Sequence, residues 1–396
     1  MNPGIFNKQY LMTAGPTPLP PAVSQVMAEP ITYHRAPAFV EFYERVLERL
    51  PRVFKTDNDV LSFAASGSGA MESAVANLAV PGEPAVVASS GKFGERWAEM
   101  CDAFGAETTH LEFEWGEKVE PDRIGEALAA LERPAHALFV TQSESSTGVV
   151  NDVRALADIA RDHNTILVVD AISGLAAVDL PQDEWGIDVV IAGSQKSLMT
   201  PPGLAFASVS ERALAGAAEN PGRRYYFDWA KTAKGQREQP ANSPFTPAVT
   251  LWCALDVALE LIFEEGLDAV FERHAILARA TRAGIEAMGL ERFGPDDPDA
   301  NVLTAARLPD SIDGAAVPKL MRDRLGITIS GGQGELKGKI ARIAHCGYYG
   351  AFDIVVALTG LEMALRELGH DAEPGAAAGA AERVFAEAGV APEPVS

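Results

Sequence analysis

Short apolar runs alternate with amphipathic stretches through the first half of the chain. The apolar runs predict buried strands at DVLSFAA (59–65), PAVVASS (84–90), HALFVTQ (136–142), TILVVDA (165–171) and IDVVIAG (187–193). Helical spacing of apolar residues marks three stretches between them, AMESAVANLAV (70–80), FGERWAEMCDAFG (93–105) and DVRALADIARDHN (152–164). A repeated order of strand and helix implies that right-handed crossovers connect successive parallel strands. The pattern therefore predicts an α/β fold with a mostly parallel central sheet and helices on both faces.

The pattern changes after Pro247. Long helical stretches are followed by strand-like segments and one more helix, at 249–266, 267–289, 300–308, 339–347 and 352–368. This change predicts an N-terminal arm (1–20), a large domain (21–260) and a smaller C-terminal α+β domain (261–396). The end of the chain is rich in Ala, Gly and Pro, so from about residue 372 we expect a flexible tail that contains at most one short helix.

Composition and charge narrow the possible partners. The chain has 396 residues, of which 47% are apolar and 22% are charged, which is enough for a large core. The net charge is −22 and no Lys/Arg run occurs, so we expect neither nucleic acid nor an anionic membrane as a partner.

The chain start and the cysteines indicate the compartment. MNPGIFNKQYLMTAGP lacks the basic and apolar regions of a signal peptide, so we expect a cytoplasmic protein. Cys101, Cys253 and Cys346 are odd in number and form no CxxC pair. We therefore expect neither a disulfide framework nor a metal site.

Ligands of such sheets collect at the carboxyl ends of the strands. Ser66, Gly67, Ser68 and Gly69 follow the first predicted strand and precede a helix, so they form either a phosphate cup or a plain tight turn. We call these four residues the phosphate cup. The segment is not a dinucleotide fingerprint, because Glu72 stands at the position of the third glycine, and no GxxxxGK[ST] motif occurs.

Polar residues follow other strands. Asp170 ends a buried strand, where it is either a turn residue or the partner of a cation or a protonated ring nitrogen. Small hydroxyl residues, including Ser145, follow HALFVTQ. Lys196 lies at a turn before Pro201, Pro202 and Gly203, as either a solvated charge or a group placed for chemistry.

Phe93 and Arg342 are two further candidate side chains for a ligand site. Phe93 begins a helix after a strand, where it is a core residue or a stacking aromatic, and Arg342 interrupts an apolar strand, where it faces inward or solvent. A phosphate cup, an aspartate for a ring nitrogen, an aromatic, a lysine and an arginine for a carboxylate are what pyridoxal 5'-phosphate (PLP) and an amino acid require.

The sequence also resembles the class V (fold type I) PLP-dependent aminotransferases, in the branch of alanine–glyoxylate, serine–glyoxylate and serine–pyruvate aminotransferases. The resemblance extends from TAGPTPLPP to KIARIAHCG, and its most specific motifs are SESSTG, VVDAISG, GSQKSLMTPPG and PFTPAV in that order. It implies the transfer of an amino group from a small L-amino acid, alanine or serine, to glyoxylate or pyruvate.

The resemblance also implies a role for each matching residue. Lys196 forms the internal aldimine and Asp170 pairs with the pyridine nitrogen. Ser66, Gly67, Ser68 and Gln195 hold the phosphate, and Thr246 reaches the phosphate of the partner subunit in a homodimer. Phe93 and Ile172 lie against the two ring faces, Ser145 places a hydroxyl beside the cofactor, and Arg342 clamps the substrate carboxylate. Ser243, where some members have tyrosine, and Ala248, where the family has proline, depart from the pattern.

Alternatives remain open at this stage. A cysteine desulfurase of the same fold needs a nucleophilic cysteine on a mobile loop, for which Cys346 is the candidate. Pyridoxamine–pyruvate aminotransferase also resembles the chain, but that enzyme is expected to carry an acidic residue at the phosphate cup, where this chain has serine and glycine. The third alternative is a PLP-binding protein without turnover.

Overall fold

The computed structural model describes residues 8–389. Its helices are α1 (Pro21–Val26), α2 (Pro37–Phe54), α3 (Gly67–Leu78), α4 (Lys92–Phe104), α5 (Pro121–Ala130), α6 (Val153–Asp162), α7 (Gln182–Trp185), α8 (Glu211–Glu219), α9 (Trp229–Arg237), α10 (Val249–Glu265), α11 (Leu267–Ala287), α12 (Ala316–Leu320), α13 (Ala351–Glu367) and α14 (Ala376–Glu387). A π-helical turn (Met321–Leu325) and a 3-10 turn (Gly334–Leu336) lie between α12 and α13.

The strands are β1 (Tyr10–Leu11), β2 (Asp59–Phe63), β3 (Pro84–Ser89), β4 (Glu107–Glu112), β5 (Ala137–Thr141), β6 (Ser143–Glu144), β7 (Val149–Val150), β8 (Ile166–Asp170), β9 (Val189–Gly193), β10 (Ala205–Val209), β11 (Leu303–Arg307), β12 (Ile327–Thr328), β13 (Ser330–Gly331) and β14 (Ile340–Ala344). Seven of them form the central sheet, in the order β2-β10-β9-β8-β5-β3-β4. Only β10 in this sheet pairs antiparallel with its neighbours, so the sheet is mostly parallel as predicted.

The central sheet has a helical layer on each face. Successive strand residues alternate between two hydrophobic clusters, as Val168 and Val169 do. The first cluster contains buried residues of α2, α5, α6 and α10. The second contains buried residues of α3, α4, α8 and α9. The predicted α/β architecture with helices on both faces is therefore confirmed.

Two strands of the sheet did not emerge from the apolar pattern. β4 (ETTHLE) is largely polar because it is an edge strand that pairs only with β3. β10 (AFASV) is rich in small residues, and it inserts between β2 and β9 although it follows β9 along the chain. That insertion is a property of the topology rather than of local sequence.

A second, smaller sheet lies in the C-terminal part, in the order β11-β14-β13. Its core cluster includes buried residues of α11, α13 and α14. The arm joins this part: β1 pairs in parallel with β12, and Met12 and Ala14 are buried in the same cluster. Within α11, Val270 still belongs to a cluster of the central sheet, whereas Leu277, Ala280 and Ile285 belong to the cluster of the second sheet. The domain boundary at residue 260 stays a prediction.

As far as residue 389, the C-terminal segment contains the one helix that the sequence allowed, but that helix is packed rather than flexible. Ala376–Glu387 form α14, which packs on α11 and buries Ala377, Ala381 and Phe385. The buried carboxylate of Glu362 accepts hydrogen bonds from the backbone N–H groups of Gly375 (2.7 Å) and Ala377 (3.1 Å). Composition alone did not indicate this helix start, because its capping residue lies on α13.

No helix within residues 8–389 has both the length and the apolar character needed to span a bilayer.

Candidate active site

A cavity of about 250 Å³ opens at the carboxyl ends of β2, β3, β5, β8 and β9. Of the eleven residues predicted for the site, nine line it: Ser66, Gly67, Ser68, Phe93, Ser145, Asp170, Ile172, Gln195 and Lys196. Arg342 lies behind one wall, and Thr246 lies elsewhere. Parallel strands bring these distant sequence positions to one edge of the sheet, as the pattern predicts.

The phosphate cup lies at the N-terminus of α3. Ser66 is the N-cap residue with an extended backbone, and no side chain caps the helix. The first N–H groups of a helix lack partners within it, so this end is suited to an anion. Gly67 is required by close packing, because a Cβ there would lie 2.8 Å from Cδ1 of Ile172.

Lys196 lies on the turn after β9 and is held by the arm. Its Nζ donates to the Ala14 carbonyl, the Thr17 hydroxyl donates to the Lys196 carbonyl (3.0 Å), and the Thr17 N–H donates to the Gln195 carbonyl (3.1 Å). Gly15, at φ +133°, lies so close that any Cβ would overlap the lysine side chain. Burial lowers the pKa of Lys196, against the opposing effects of Cys346 and Asp170, and so favours the neutral amine.

Asp170 ends β8 and is only 4% exposed. Its Oδ1 accepts a hydrogen bond from the Ile172 N–H at 2.8 Å. None of the Lys, Arg or His nitrogens of the described residues lies within salt-bridge distance of it, and burial raises its pKa to about 7. A buried carboxylate of this kind is stabilised by a protonated nitrogen on a bound ligand.

Glu144 is a site residue that the sequence analysis did not single out. Its carboxylate is 1% exposed and accepts the N–H groups of Phe93 (3.0 Å) and Gly94 (2.9 Å), and both the N–H and hydroxyl of Ser146. Burial raises the pKa of Glu144, whereas these hydrogen bonds act to lower it. The carboxylate caps α4 and so positions Phe93. The signal in the sequence was an acidic residue within the run of small hydroxyl residues in SESSTG.

Arg96 also lines the cavity and was missed. Its position three residues after Phe93 places both on one face of α4, and its guanidinium lies 4.9 Å from the Phe93 ring centroid. Nη1 donates to the Ser68 hydroxyl at 2.9 Å. The i, i+3 spacing was the available signal.

Arg342 faces inward from β14 and is 6% exposed. Its Nε (3.0 Å) and Nη2 (2.6 Å) donate to the Gly331 carbonyl, and Nη1 donates to the Ser145 carbonyl. Burial lowers its pKa to about 10. Carbonyls do not neutralise a guanidinium, and within the described residues no carboxylate forms a salt bridge with it. The charge therefore suits an anionic ligand group next to Ser145.

Thr246 does not reach this cavity in its own chain. It is exposed, beside a small pocket formed with Ser62, Phe63 and Trp252. Cys346 is fully buried after β14, and burial raises the pKa of its thiol. A packed thiol of this kind lacks the exposure that a nucleophilic cysteine needs.

The Aminotransferase class-V family model matches residues 9–341. The chain belongs to this family. It is therefore a PLP-dependent aminotransferase of fold type I, as the motifs predicted.

Two similar proteins carry different functional names. A protein of Synechococcus sp. (strain PCC 6716) named soluble hydrogenase, small subunit, is 40% identical over 96% of this chain and 100% of its own length. The serine–glyoxylate aminotransferase of Methylorubrum extorquens is 34% identical over 94% of this chain and 95% of its own length. Within residues 8–389, no group of three or more His, Cys, Asp and Glu side chains is arranged to hold a metal.

Two solved structures share the fold closely. The ureidoglycine–glyoxylate aminotransferase of Bacillus subtilis superposes with a TM-score of 0.91 at 31% identity, over 96% of this chain and 98% of that one. Pyridoxamine–pyruvate aminotransferase of Mesorhizobium loti superposes with a TM-score of 0.90 at 30% identity, over 96% and 97%.

The residues lining the cavity fit PLP on their own chemistry. Asp170 provides a buried acid for a ring nitrogen, and Lys196 provides an amine for a carbonyl carbon. The phosphate cup provides an uncapped helix start for a phosphate. The buried Gln195 Oε1 and Ser143 Oγ have no hydrogen-bond partner among the described residues. Unsatisfied buried polar atoms facing a cavity are the expected counterpart of a polar ligand.

Proposed function

We propose that this enzyme transfers the amino group of a small L-amino acid, alanine or serine, to glyoxylate or pyruvate. The observation that carries the proposal is the arrangement of three titratable groups around one cavity. Lys196 and Asp170 line it, and Arg342, which forms no salt bridge within the described residues, donates to the backbone carbonyl of Ser145, which also lines it. A lysine, an aspartate and an arginine so placed supply a base, a counter-ion and a carboxylate anchor.

Asp170 acts as the counter-ion. Bound PLP supplies the electron sink for the pair released when the substrate Cα–H bond breaks, and the carbon that carries the amino group. Asp170 in its ionised form holds a proton on the ring nitrogen, and burial strengthens that pairing because little water competes.

Lys196 acts as the general base. Once displaced by the amine of the substrate, its neutral Nζ takes the proton from Cα. The lowered pKa keeps a larger fraction of the amine neutral near pH 7 than an exposed lysine has. The Ala14 carbonyl, which accepts a hydrogen bond from Nζ, holds the free amine against the N-terminal arm, of which Gly15 and Pro16 line the cavity.

Arg342 and Ser145 select the substrate carboxylate. The hydrogen bonds from Arg342 to the carbonyls of Ser145 and Gly331 fix the plane of the guanidinium, which limits how the acid group can dock. The Ser145 hydroxyl lies 3.3 Å from the Ser173 hydroxyl, which donates to it, so its own proton is available to a ligand.

Glyoxylate is the better supported acceptor. The serine–glyoxylate and ureidoglycine–glyoxylate relatives share this acceptor in their names while their donors differ. The acceptor half of the reaction therefore has more support here than the choice between alanine and serine as donor.

Transamination between pyridoxamine and pyruvate is the second candidate, favoured by the likeness to the Mesorhizobium loti enzyme. Such an enzyme binds a vitamer without phosphate. The serines of the phosphate cup and the uncapped start of α3 favour a phosphorylated cofactor instead.

We further propose a homodimer in which Thr246 contributes to the partner subunit's site. The exposed position of Thr246 outside its own cavity supports this arrangement. Tyr225 and Tyr226, exposed by 74% and 37%, pack with Phe245 beside it and form an aromatic surface suited to burial in an interface.

A panel of steady-state kcat/KM values tests the substrate proposal. Donors are L-serine, L-alanine and pyridoxamine, and acceptors are glyoxylate and pyruvate, with PLP-saturated enzyme. We expect an amino acid with glyoxylate to give the highest value. A higher value for pyridoxamine with pyruvate would contradict the proposal and support the second candidate.

A further inference from the structure

The Arg96 guanidinium lies at the open side of the phosphate cup. Arg96 projects from the second turn of α4 and lines the cavity together with Ser66, Gly67 and Ser68. Its Nη1 donates to the Ser68 hydroxyl at 2.9 Å, while the Phe93 ring supports the guanidinium at 4.9 Å from its centroid. These two contacts fix the side chain across the cup.

Arg96 forms no salt bridge with an acidic side chain, although its charge acts to lower the pKa of Asp170. No carboxylate of residues 8–389 comes within 4.0 Å of its nitrogens in a salt bridge, and its neighbour Glu95 is engaged by Lys92 (3.0 Å) and by Trp115 Nε1 (3.0 Å). An arginine that lines a cavity without a salt-bridge partner is suited to a ligand anion.

The other groups around the cup are uncharged. Ser66, Gly67, Ser68 and Gln195 offer only hydroxyls, an amide and backbone N–H groups to a phosphate that carries close to two negative charges. The Ser68 oxygen already accepts from Arg96, so the Ser68 hydroxyl proton is free to be donated to an anion. Arg96 and Ser68 thus form one charged donor pair.

We infer that Arg96 is a ligand of the cofactor phosphate, and that it makes the site selective for the phosphorylated cofactor over the unphosphorylated vitamer. The inference rests on the proposed assignment of Ser66–Gly69 as the phosphate cup. Arg96 places formal positive charge beside the cup, and its contact with the Ser68 hydroxyl puts the guanidinium next to a group of the cup.

Equilibrium titration of the cofactor-free protein tests this inference without measuring turnover. Dissociation constants for PLP and for pyridoxal, which lacks the phosphate, are measured by absorbance for wild type, Arg96→Gln and the control Arg123→Gln. Arg123 also stacks on an aromatic ring, at 4.4 Å from the Phe113 centroid, but outside the cavity.

We expect Arg96→Gln to weaken PLP binding by about 10- to 100-fold, the loss of one charge-assisted hydrogen bond, and to leave pyridoxal binding within about twofold. Arg123→Gln should change neither. Equal weakening for both ligands would show that Arg96 acts only by holding Phe93, and no change for either would show that it touches no phosphate. Both results would overturn the inference.

Two further measurements keep the outcomes distinct. Arg96→Lys retains the charge without the planar fork, so it should keep only part of the preference for PLP. If Arg96→Gln does not fold, a reduced preference in Arg96→Lys with normal pyridoxal binding supports a phosphate contact through the guanidinium, and an unchanged preference overturns it. Wild type with no preference for PLP over pyridoxal would overturn the cup assignment itself, and the inference with it.

Discussion

Lys196 and Asp170 line the cavity, whereas Arg342 contacts the backbone carbonyl of Ser145, which lines it. Asp170 and Arg342 could be singled out from the sequence because they end or interrupt an apolar run, where a charge without chemistry is costly, and Lys196 because it lies at a turn that follows such a run. Glu144 and Arg96 were not predicted. Their importance comes from contacts with Phe93 and Ser68, which local sequence does not encode.

The raised pKa of Asp170 predicts an unusual pH dependence of stability for the cofactor-free protein. Between the ordinary aspartate value of 3.8 and about 7, folded Asp170 retains a proton that the unfolded chain has lost. The free energy of unfolding therefore falls as pH rises through this window, by an amount on the order of a few kcal/mol. Asp170→Asn should lack this contribution.

Denaturant unfolding of wild type and Asp170→Asn at a series of pH values checks this. We expect the stability of wild type relative to the variant to decrease with pH across the window and then to level off. The same pH dependence in both proteins would show that Asp170 does not titrate there.

Replacement of Arg342 should weaken the binding of the amino-acid substrate more than the binding of PLP. Arg342→Ala removes the proposed carboxylate partner, so kcat/KM for amino acids should fall on the order of 100-fold, mainly through KM. Arg342→Lys keeps the charge without the planar fork and should recover only part. A PLP dissociation constant measured on the same variants is the control, and unchanged kinetics for Arg342→Ala would exclude it as the anchor.

At the scale of elements, apolar runs located the strands well because each strand of the sheet centre is buried on both faces. β3, β5, β8 and β9 all fall within the predicted runs. β4 and β10 were missed, the first because an edge strand is polar and the second because its place depends on pairing with β2 and β9. The start of α14 was missed because Glu362 caps it from another helix.

Glu144 links the SESSTG segment to α4. Its substitution should therefore lower both the stability of the protein and its affinity for PLP. Glu144→Gln retains the shape but replaces one acceptor oxygen by a donor that faces N–H groups, so unfolding free energy should fall by about 1–3 kcal/mol. Because α4 carries Phe93 and Arg96, PLP affinity should fall as well. The exposed Glu387→Gln at the end of α14 is a control. Unchanged stability and PLP affinity would contradict the capping role.

At the scale of the whole molecule, the sequence predicted a domain boundary at residue 260, which stays a prediction. In the structure, α11 begins in a cluster of the central sheet at Val270 and continues in the cluster of the second sheet from Leu277. The sequence did not predict that the arm pairs with β12, with Tyr10 opposite Ile327, because no local pattern specifies partners so distant. That pairing places Ala14, Gly15 and Thr17 against the Lys196 turn.

The proposed dimer predicts complementation between two defective chains. Lys196→Ala removes the base, and Thr246→Glu places a negative charge where the partner's phosphate is proposed to bind. In a purified hybrid dimer of the two, one site has Lys196 from one chain and Thr246 from the other. We expect that hybrid to regain about half of the wild-type activity, since one of its two sites is intact.

The control hybrid pairs wild type with a chain carrying both substitutions. Its one remaining lysine faces the substituted residue at position 246, so its activity should be low. If instead the control hybrid is the active one and the first hybrid is not, Thr246 serves its own subunit, and the shared site is contradicted.

The visible absorption spectrum of the purified enzyme tests the central claim most directly. We predict a yellow protein whose visible band disappears on addition of L-serine or L-alanine alone and returns on addition of glyoxylate, and no such cycle in Lys196→Ala, with the exposed Lys319→Ala as a control that cycles normally. A protein that keeps its colour with both amino acids, or that loses it and does not recover it with glyoxylate or pyruvate, would contradict the proposed transamination.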